Sequence, residues 1–133
     1  MTLLVLDASA SVDLLLDTAT GRALQPRLPV GEWWVPQHFF VEVSAGIRRA
    51  EQRGEIPTAK AMVAFAELTS TPMQPVSITP LLAEAWARRG HLTIADALYV
   101  ILAEHLGATL VTTDEKLAKS PGLSVATITA NHG

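Results

Sequence analysis

The chain alternates between short, continuous apolar runs and longer stretches whose apolar positions recur every three to four residues. Runs of the first kind read as buried strands, and stretches of the second kind as helices packed by one face. Leu3 to Leu6 is such a run, ended by Asp7, and Ala8 to Leu16 follows with helical spacing that turns Val12, Leu15 and Leu16 inward. Thr18 to Leu28 predicts a short helix broken near Pro26. Trp33-Trp34-Val35, closed by Pro36, predicts a second strand. From Gln37 to Arg53, Phe39, Val43, Ile47 and Ala50 share one stripe, with Arg48, Glu51 and Gln52 outward and Glu42 on the flank. Gly54 stops that helix and Pro57 begins another running to Leu68, so the two form a helical hairpin.

Val76-Ser77-Ile78 predicts a third strand, and Pro80 to Arg89 a helix that Gly90 terminates. The strongest pattern is Leu92 to Leu117, LTIADALYVILAEHLGATLVTTDEKL. Between Ile94 and Ala103 the only charge is Asp96, and apolar groups fall on every side of a 3.6-residue period, which predicts a buried helix. Gly107 ends it, and Thr109 to Thr112 reads as an interior strand that delivers Asp114. A short helix from Glu115 to Lys119, the turn Ser120-Pro121-Gly122 and a last strand from Ser124 to Ile128 complete the chain. Strands alternating with helices predict an α/β fold: a parallel sheet of about five strands with helices on both faces, and an inserted helical hairpin.

Composition narrows the class. With 133 residues, 49% apolar and 17% charged, the chain is long enough for a full core and too apolar for disorder, so residues 1–133 are expected to form one domain. The absence of cysteine excludes disulfides and thiolate metal sites and fits a reducing, cytoplasmic setting. MTLLVLDASA lacks a basic leader region, and no apolar run reaches roughly 18 residues, so neither a signal peptide nor a membrane helix is expected. A net charge of −3 argues against strong non-specific binding to nucleic acid, without excluding a nuclease whose metal-site acids contribute to that sum.

In a parallel α/β sheet each helix begins at the edge where strands end. Asp7, Glu42, Asp96 and Asp114 all fall there, where open α/β sheets place their sites. No Lys or Arg is assigned by the sequence to neutralise them. Four oxygen donors without His or Cys suit a hard divalent ion, Mg²⁺ or Mn²⁺, that retains several waters. Crowding also predicts that at least one of these carboxylates titrates high. The competing explanation is structural: Asp7 and Asp114 as N-caps, and Thr93 to Asp96 as a capping box. Glu42, inside its helix, has no capping role. Asp13, Asp17, Glu51, Glu67 and Glu84 read as solvated charges, and His38, His91, His105 and His132 show no ligand spacing. Trp33, Trp34, Phe39 and Phe40 read as core packing, or in part as a protein interface.

These pieces, VLDASA around Asp7, FFVEVSAGIRR around Glu42, and LTIADALYVILAEHLGATLVTTDEKL with Asp96 and Asp114, resemble the PIN domain, in particular the VapC-type toxins. The resemblance covers nearly the whole chain. It implies a three-layer α/β/α sandwich and a Mg²⁺- or Mn²⁺-dependent endoribonuclease, homodimeric and inhibited by a small VapB-type antitoxin that occupies the acidic site. By position it implies that Asp7, Glu42, Asp96 and Asp114 are catalytic, and that Asp7, Asp96 and Asp114 hold the metal. Thr112 and Ser9 would then be supporting hydroxyls. The hairpin from Gln37 to Leu68 is expected to form much of the antitoxin groove. Two alternatives keep the fold but change the chemistry: a receiver- or phosphatase-like Mg²⁺ domain, which Asp7-Ala8-Ser9 fits poorly for want of a second acid, and a non-catalytic interaction module.

Overall fold

The computed structural model describes residues 2–131; His132 lies outside them. Its centre is an all-parallel sheet of β1 (Thr2–Leu6), β2 (Gly31–Pro36), β3 (Gln74–Val76), β4 (Thr109–Val111) and β5 (Thr127–Ile128), in the order β3-β2-β1-β4-β5. The first three strands step outward to one side of β1, and the last two step outward to the other. The direction of winding therefore reverses between β1 and β4, the crevice at which open α/β sheets bind ligands beyond their carboxyl ends.

Among the described residues seven α-helices flank the sheet: α1 (Ala8–Leu15), α2 (Ala19–Leu24), α3 (Phe39–Gln52), α4 (Thr58–Ser70), α5 (Leu82–Ala87), α6 (Ile94–Leu106) and α7 (Glu115–Ala118). This is the three-layer sandwich expected, with α3 and α4 as the helical hairpin. In α6 every residue from Ala97 through Ala103 is buried, and the helix packs on β1, β2 and β4. Burial of Leu98, Val100, Ile101 and Leu102 contributes roughly 1.5–3 kcal/mol apiece before entropy is counted, so α6 is the core's main pillar. Gly107 ends it at φ 61°, a left-handed cap that costs glycine little, and its amide returns to the Ala103 carbonyl.

Two strands are shifted or shortened against expectation. β3 pairs through Trp34–Gln74 and Pro36–Val76, two residues earlier than predicted, because Ser77 and Ile78 lead into a 3₁₀ turn at Thr79–Leu81. Pro75 is tolerated because β3 is an edge strand. β5 keeps only Thr127 and Ile128, the two residues that find partners on β4. Of the aromatic concentration, Phe39 is fully buried, and Trp33, Trp34 and Phe40 lie half-buried against the core.

Candidate active site

Asp7 follows β1 directly and is 4% exposed. Its Oδ1 accepts from the Ala10 amide at 2.9 Å, capping α1, and from the Ser9 hydroxyl at 2.8 Å. Its Oδ2 accepts from the Thr112 hydroxyl. A carboxylate offers roughly four acceptor positions, so Asp7 retains about one for anything else. Burial pushes its pKa up to about 6, against the pull of Thr112, Ala10 and Ser9, and Asp96 adds a smaller upward push.

Thr112 is fully buried and oriented by its neighbours. Its proton goes to Asp7, and its oxygen accepts from the Asp114 amide at 3.0 Å. Asp114 in turn caps α7, with Oδ1 accepting from the Lys116 and Leu117 amides at 3.0 and 3.2 Å. The capping roles read in the sequence for Asp7 and Asp114 are therefore real, and the same caps aim both carboxyl groups at the switch-point crevice. Asp96 lies in the first turn of α6, its amide donating to Thr93 Oγ1 at 3.1 Å. Burial raises its pKa first; Thr93 opposes that, Asp114 and Glu42 add to it, and His38 pulls the other way.

Glu42 comes from the first turn of α3. Its Oε1 accepts from the Tyr99 hydroxyl at 2.6 Å and lies 3.4 Å from His38 Nε2. Burial, then the bond to Glu42, push the Tyr99 phenol far above its usual pKa, so it remains a donor. His38 Nε2 also meets the Ala95 carbonyl at 3.1 Å, which makes that nitrogen the donor, and the ring packs on Tyr99 at 4.8 Å. Its Nδ1 is buried and lacks a partner among the described residues.

Asp7, Ser9, Glu42, Asp96 and Asp114 line one pocket of about 450 Å³, and Thr112 sits beneath it. All six residues singled out in the sequence thus come together. Three details correct the sequence reading. The raised carboxyl pKa values of Asp7 and Asp96 owe more to burial than to mutual repulsion. The acidic edge is not free of cations, since Arg49 and Arg53 line the same pocket. Asp13 is no solvated charge: it lines the pocket and accepts from Thr18 and Thr113 hydroxyls, each at 2.7 Å. Glu84 is exposed, as the sequence implied, and meets the equally exposed His105 Nε2 at 2.9 Å.

Among the described residues no three of His, Asp or Glu converge tightly enough to grip an ion unaided. With Asp7 already accepting three hydrogen bonds, the donor set fits a hard ion that keeps several waters better than one caged by protein alone. Spacing held a signal for some residues the sequence reading passed over. Arg49 and Arg53 stand seven and eleven positions after Glu42, and Tyr99 three after Asp96, all on shared helical faces. Asp13 carried no such mark.

A family model described as the PIN domain matches residues 4–123. Over 117 residues the chain is 42% identical to Ribonuclease VapC3 of Mycobacterium tuberculosis, covering 87% of this chain and 85% of that protein. It is 40% identical over 120 residues to Ribonuclease VapC12 of the same species, covering 90% and 93%. The crystal structure of PAE2754 from Pyrobaculum aerophilum shares the fold with a TM-score of 0.66 at 23% identity, covering 95% of this chain and 83% of that one. With a match that spans nearly the whole sheet and relatives at this identity, the chain belongs to the PIN-domain family, among its VapC-type members.

Proposed function

We propose that this chain acts as a single PIN domain that hydrolyses RNA phosphodiester bonds as a divalent-metal-dependent endoribonuclease toxin. The observation that carries it is the convergence of Asp7, Glu42, Asp96 and Asp114, from four separate elements, on one pocket at the β1–β4 switch point. Asp7, Asp96 and Asp114 would hold Mg²⁺ or Mn²⁺, in part through water. When bound, such an ion lowers the pKa of water and offsets charge on the phosphate. Glu42, fixed by Tyr99, orients the attacking water and accepts its proton. Thr112 and Ser9 keep the Asp7 carboxyl group aimed into the pocket. RNA would reach the acids as an exposed single strand, loop or bulge, the forms whose backbone is free to enter a recess.

Two exposed apolar faces support partners. Met62, Val63 and Phe65 are exposed on α4, the hairpin partner of the helix that carries Glu42, and suit the VapB-type antitoxin. An arginine from that antitoxin would pair bidentately with the carboxylates. Leu82 and Trp86 are exposed on α5 and suit a second copy of the chain. No helix among the described residues is long and apolar enough to cross a membrane, and an RNA target places the proposed activity in the cytoplasm.

Purified protein, freed of any antitoxin, should cut RNA in Mg²⁺ or Mn²⁺ and stop in EDTA, and Asp96→Asn should abolish cutting. Cleavage that survives both EDTA and Asp96→Asn would refute the proposal.

A further inference from the structure

The pocket that holds the acids does not end at them. Asp96 and Asp114 form its wall on one side, and the same two residues line a second cavity of about 600 Å³ that opens beyond them. The first cavity carries Arg49 and Arg53; the second carries Lys116 and Lys119. The result is a trough with the acids at its middle and a pair of cations in each arm.

The distribution of charge gives this arrangement weight. The chain has ten Lys and Arg in all. Arg22 is held by Asp17, Arg27 by the Thr129 and Asn131 carbonyls, Arg88 by Glu104, and Arg89 lies over the Trp86 ring. The four in the trough have no such fixed role: among the described residues only Lys119 has a carboxylate within 4 Å, that of Glu115 at 3.9 Å, and Arg48 and Lys60, exposed outside the trough, make up the ten. A phosphate approaching four carboxylates on a chain of net charge −3 is repelled unless cations stand close by. The molecule places cations in both of the cavities that adjoin the acids.

We infer that a single RNA strand crosses the site through both cavities, with the phosphate to be cut over Asp96 and Asp114, the phosphates on one side neutralised by Arg49 and Arg53, and those on the other by Lys116 and Lys119. This rests on the ribonuclease proposal and adds to it the path of the strand and the residues that grip it away from the reacting bond.

The experiment measures binding of a fluorescent single-stranded RNA oligonucleotide as a function of salt. All proteins carry Asp96→Asn so that nothing is cut, and thermal melts confirm that each is folded. For single strands the slope of log K against log salt changes by about 0.7 for each phosphate left without its cation, so the Arg49→Gln/Arg53→Gln pair should flatten it by about 1.4. The Lys116→Gln/Lys119→Gln pair should flatten it by a similar amount, and the four changes together by roughly the sum. Arg48→Gln, an exposed cation outside both cavities, should leave the slope unchanged. A slope altered by one pair only would confine the strand to one cavity and overturn the inference. So would a slope altered by neither pair while the wild type cuts RNA, which leaves the ribonuclease proposal standing. Unaltered RNA slopes with weakened binding of the antitoxin would assign the cations to that protein instead and would equally overturn the strand path. If the wild type neither binds nor cuts any RNA, the ribonuclease proposal fails and the strand path with it.

Discussion

The Tyr99 hydroxyl donates to Glu42 Oε1 at 2.6 Å, joining the buried helix α6 to the first turn of α3 across the pocket. Tyr99 is 1% exposed, so its position is fixed by the core, and through this bond the core fixes a carboxylate that is itself partly open to solvent.

Tyr99→Phe keeps the ring and its packing but releases Glu42. Water replaces the lost donor at a half-exposed carboxylate, so stability should fall by only about 1 kcal/mol. A misplaced catalytic group costs more in rate, so kcat on RNA should fall on the order of tenfold or more with KM nearly unchanged. Steady-state kinetics beside a thermal melt separates the two effects. Unchanged kcat would show that Glu42 needs no positioning from Tyr99.

Asp7 gives the metal-free protein an unusual pH dependence. Its pKa is raised from 3.8 to about 6, so the folded state holds the proton more tightly than the unfolded chain. The stabilisation is full below the unfolded pKa and is lost as pH rises through the folded one. Two units at roughly 1.36 kcal/mol each put that loss on the order of 3 kcal/mol, and Asp96, raised in the same direction, adds to it. In EDTA the melting temperature should therefore decline between about pH 4 and 7, and Asp7→Asn should make that decline shallower. A wild-type profile that climbs steadily over this range, with the variant parallel to it, would contradict the assignment.

Arg88 and Glu104 pair at 2.5 and 3.0 Å, and Ser124 Oγ donates to the same carboxylate at 2.8 Å. The Arg88 hydrogen bond holds the Glu104 carboxyl below its usual range. Its stabilisation is thus present above the unfolded pKa and lost as pH falls through the lowered folded value. Glu104 is largely buried and lies eight residues, or about 12 Å, along α6 from Asp96. Glu104→Gln should cost about 1–3 kcal/mol at neutral pH, measured by urea unfolding, and leave kcat and KM on RNA unchanged.

At Gly21, α2 packs directly against the backbone of α1. A Cβ there would lie 2.1 Å from the Asp13 carbonyl oxygen, which is backbone and has no rotamer with which to yield. Gly21→Ala should destabilise by about 1–3 kcal/mol. Since Asp13 also holds Thr113 beside the acids, cleavage by the folded variant should drop as well. A melt and an assay on the same preparation test both. A variant as stable as the wild type would mean that α2 shifts freely.

Whatever depends on near neighbours along the chain was legible in the order of residues. The apolar circumference of Ile94 to Ala103 required a buried helix, Gly107 required its end, and strand-to-helix alternation required a parallel sheet with Asp7, Glu42, Asp96 and Asp114 at its carboxyl edge. Those features follow from periodicity and from the direction in which strands and helices must run. What these acids meet was fixed only when the chain folded. Tyr99 and Glu42 are 57 positions apart and Thr113 and Asp13 are 100 apart, and no local pattern announces such pairings. The short strands β3 and β5 were also settled at a distance, because their limits are set by where β2 and β4 supply hydrogen-bond partners. Spacing along α3 turned Arg49 and Arg53 to the Glu42 side, but no spacing told where Lys116 and Lys119 would lie. Only the placement of α7 beyond β4 brought Lys116 and Lys119 to a cavity that shares Asp96 and Asp114 with the one holding Arg49 and Arg53.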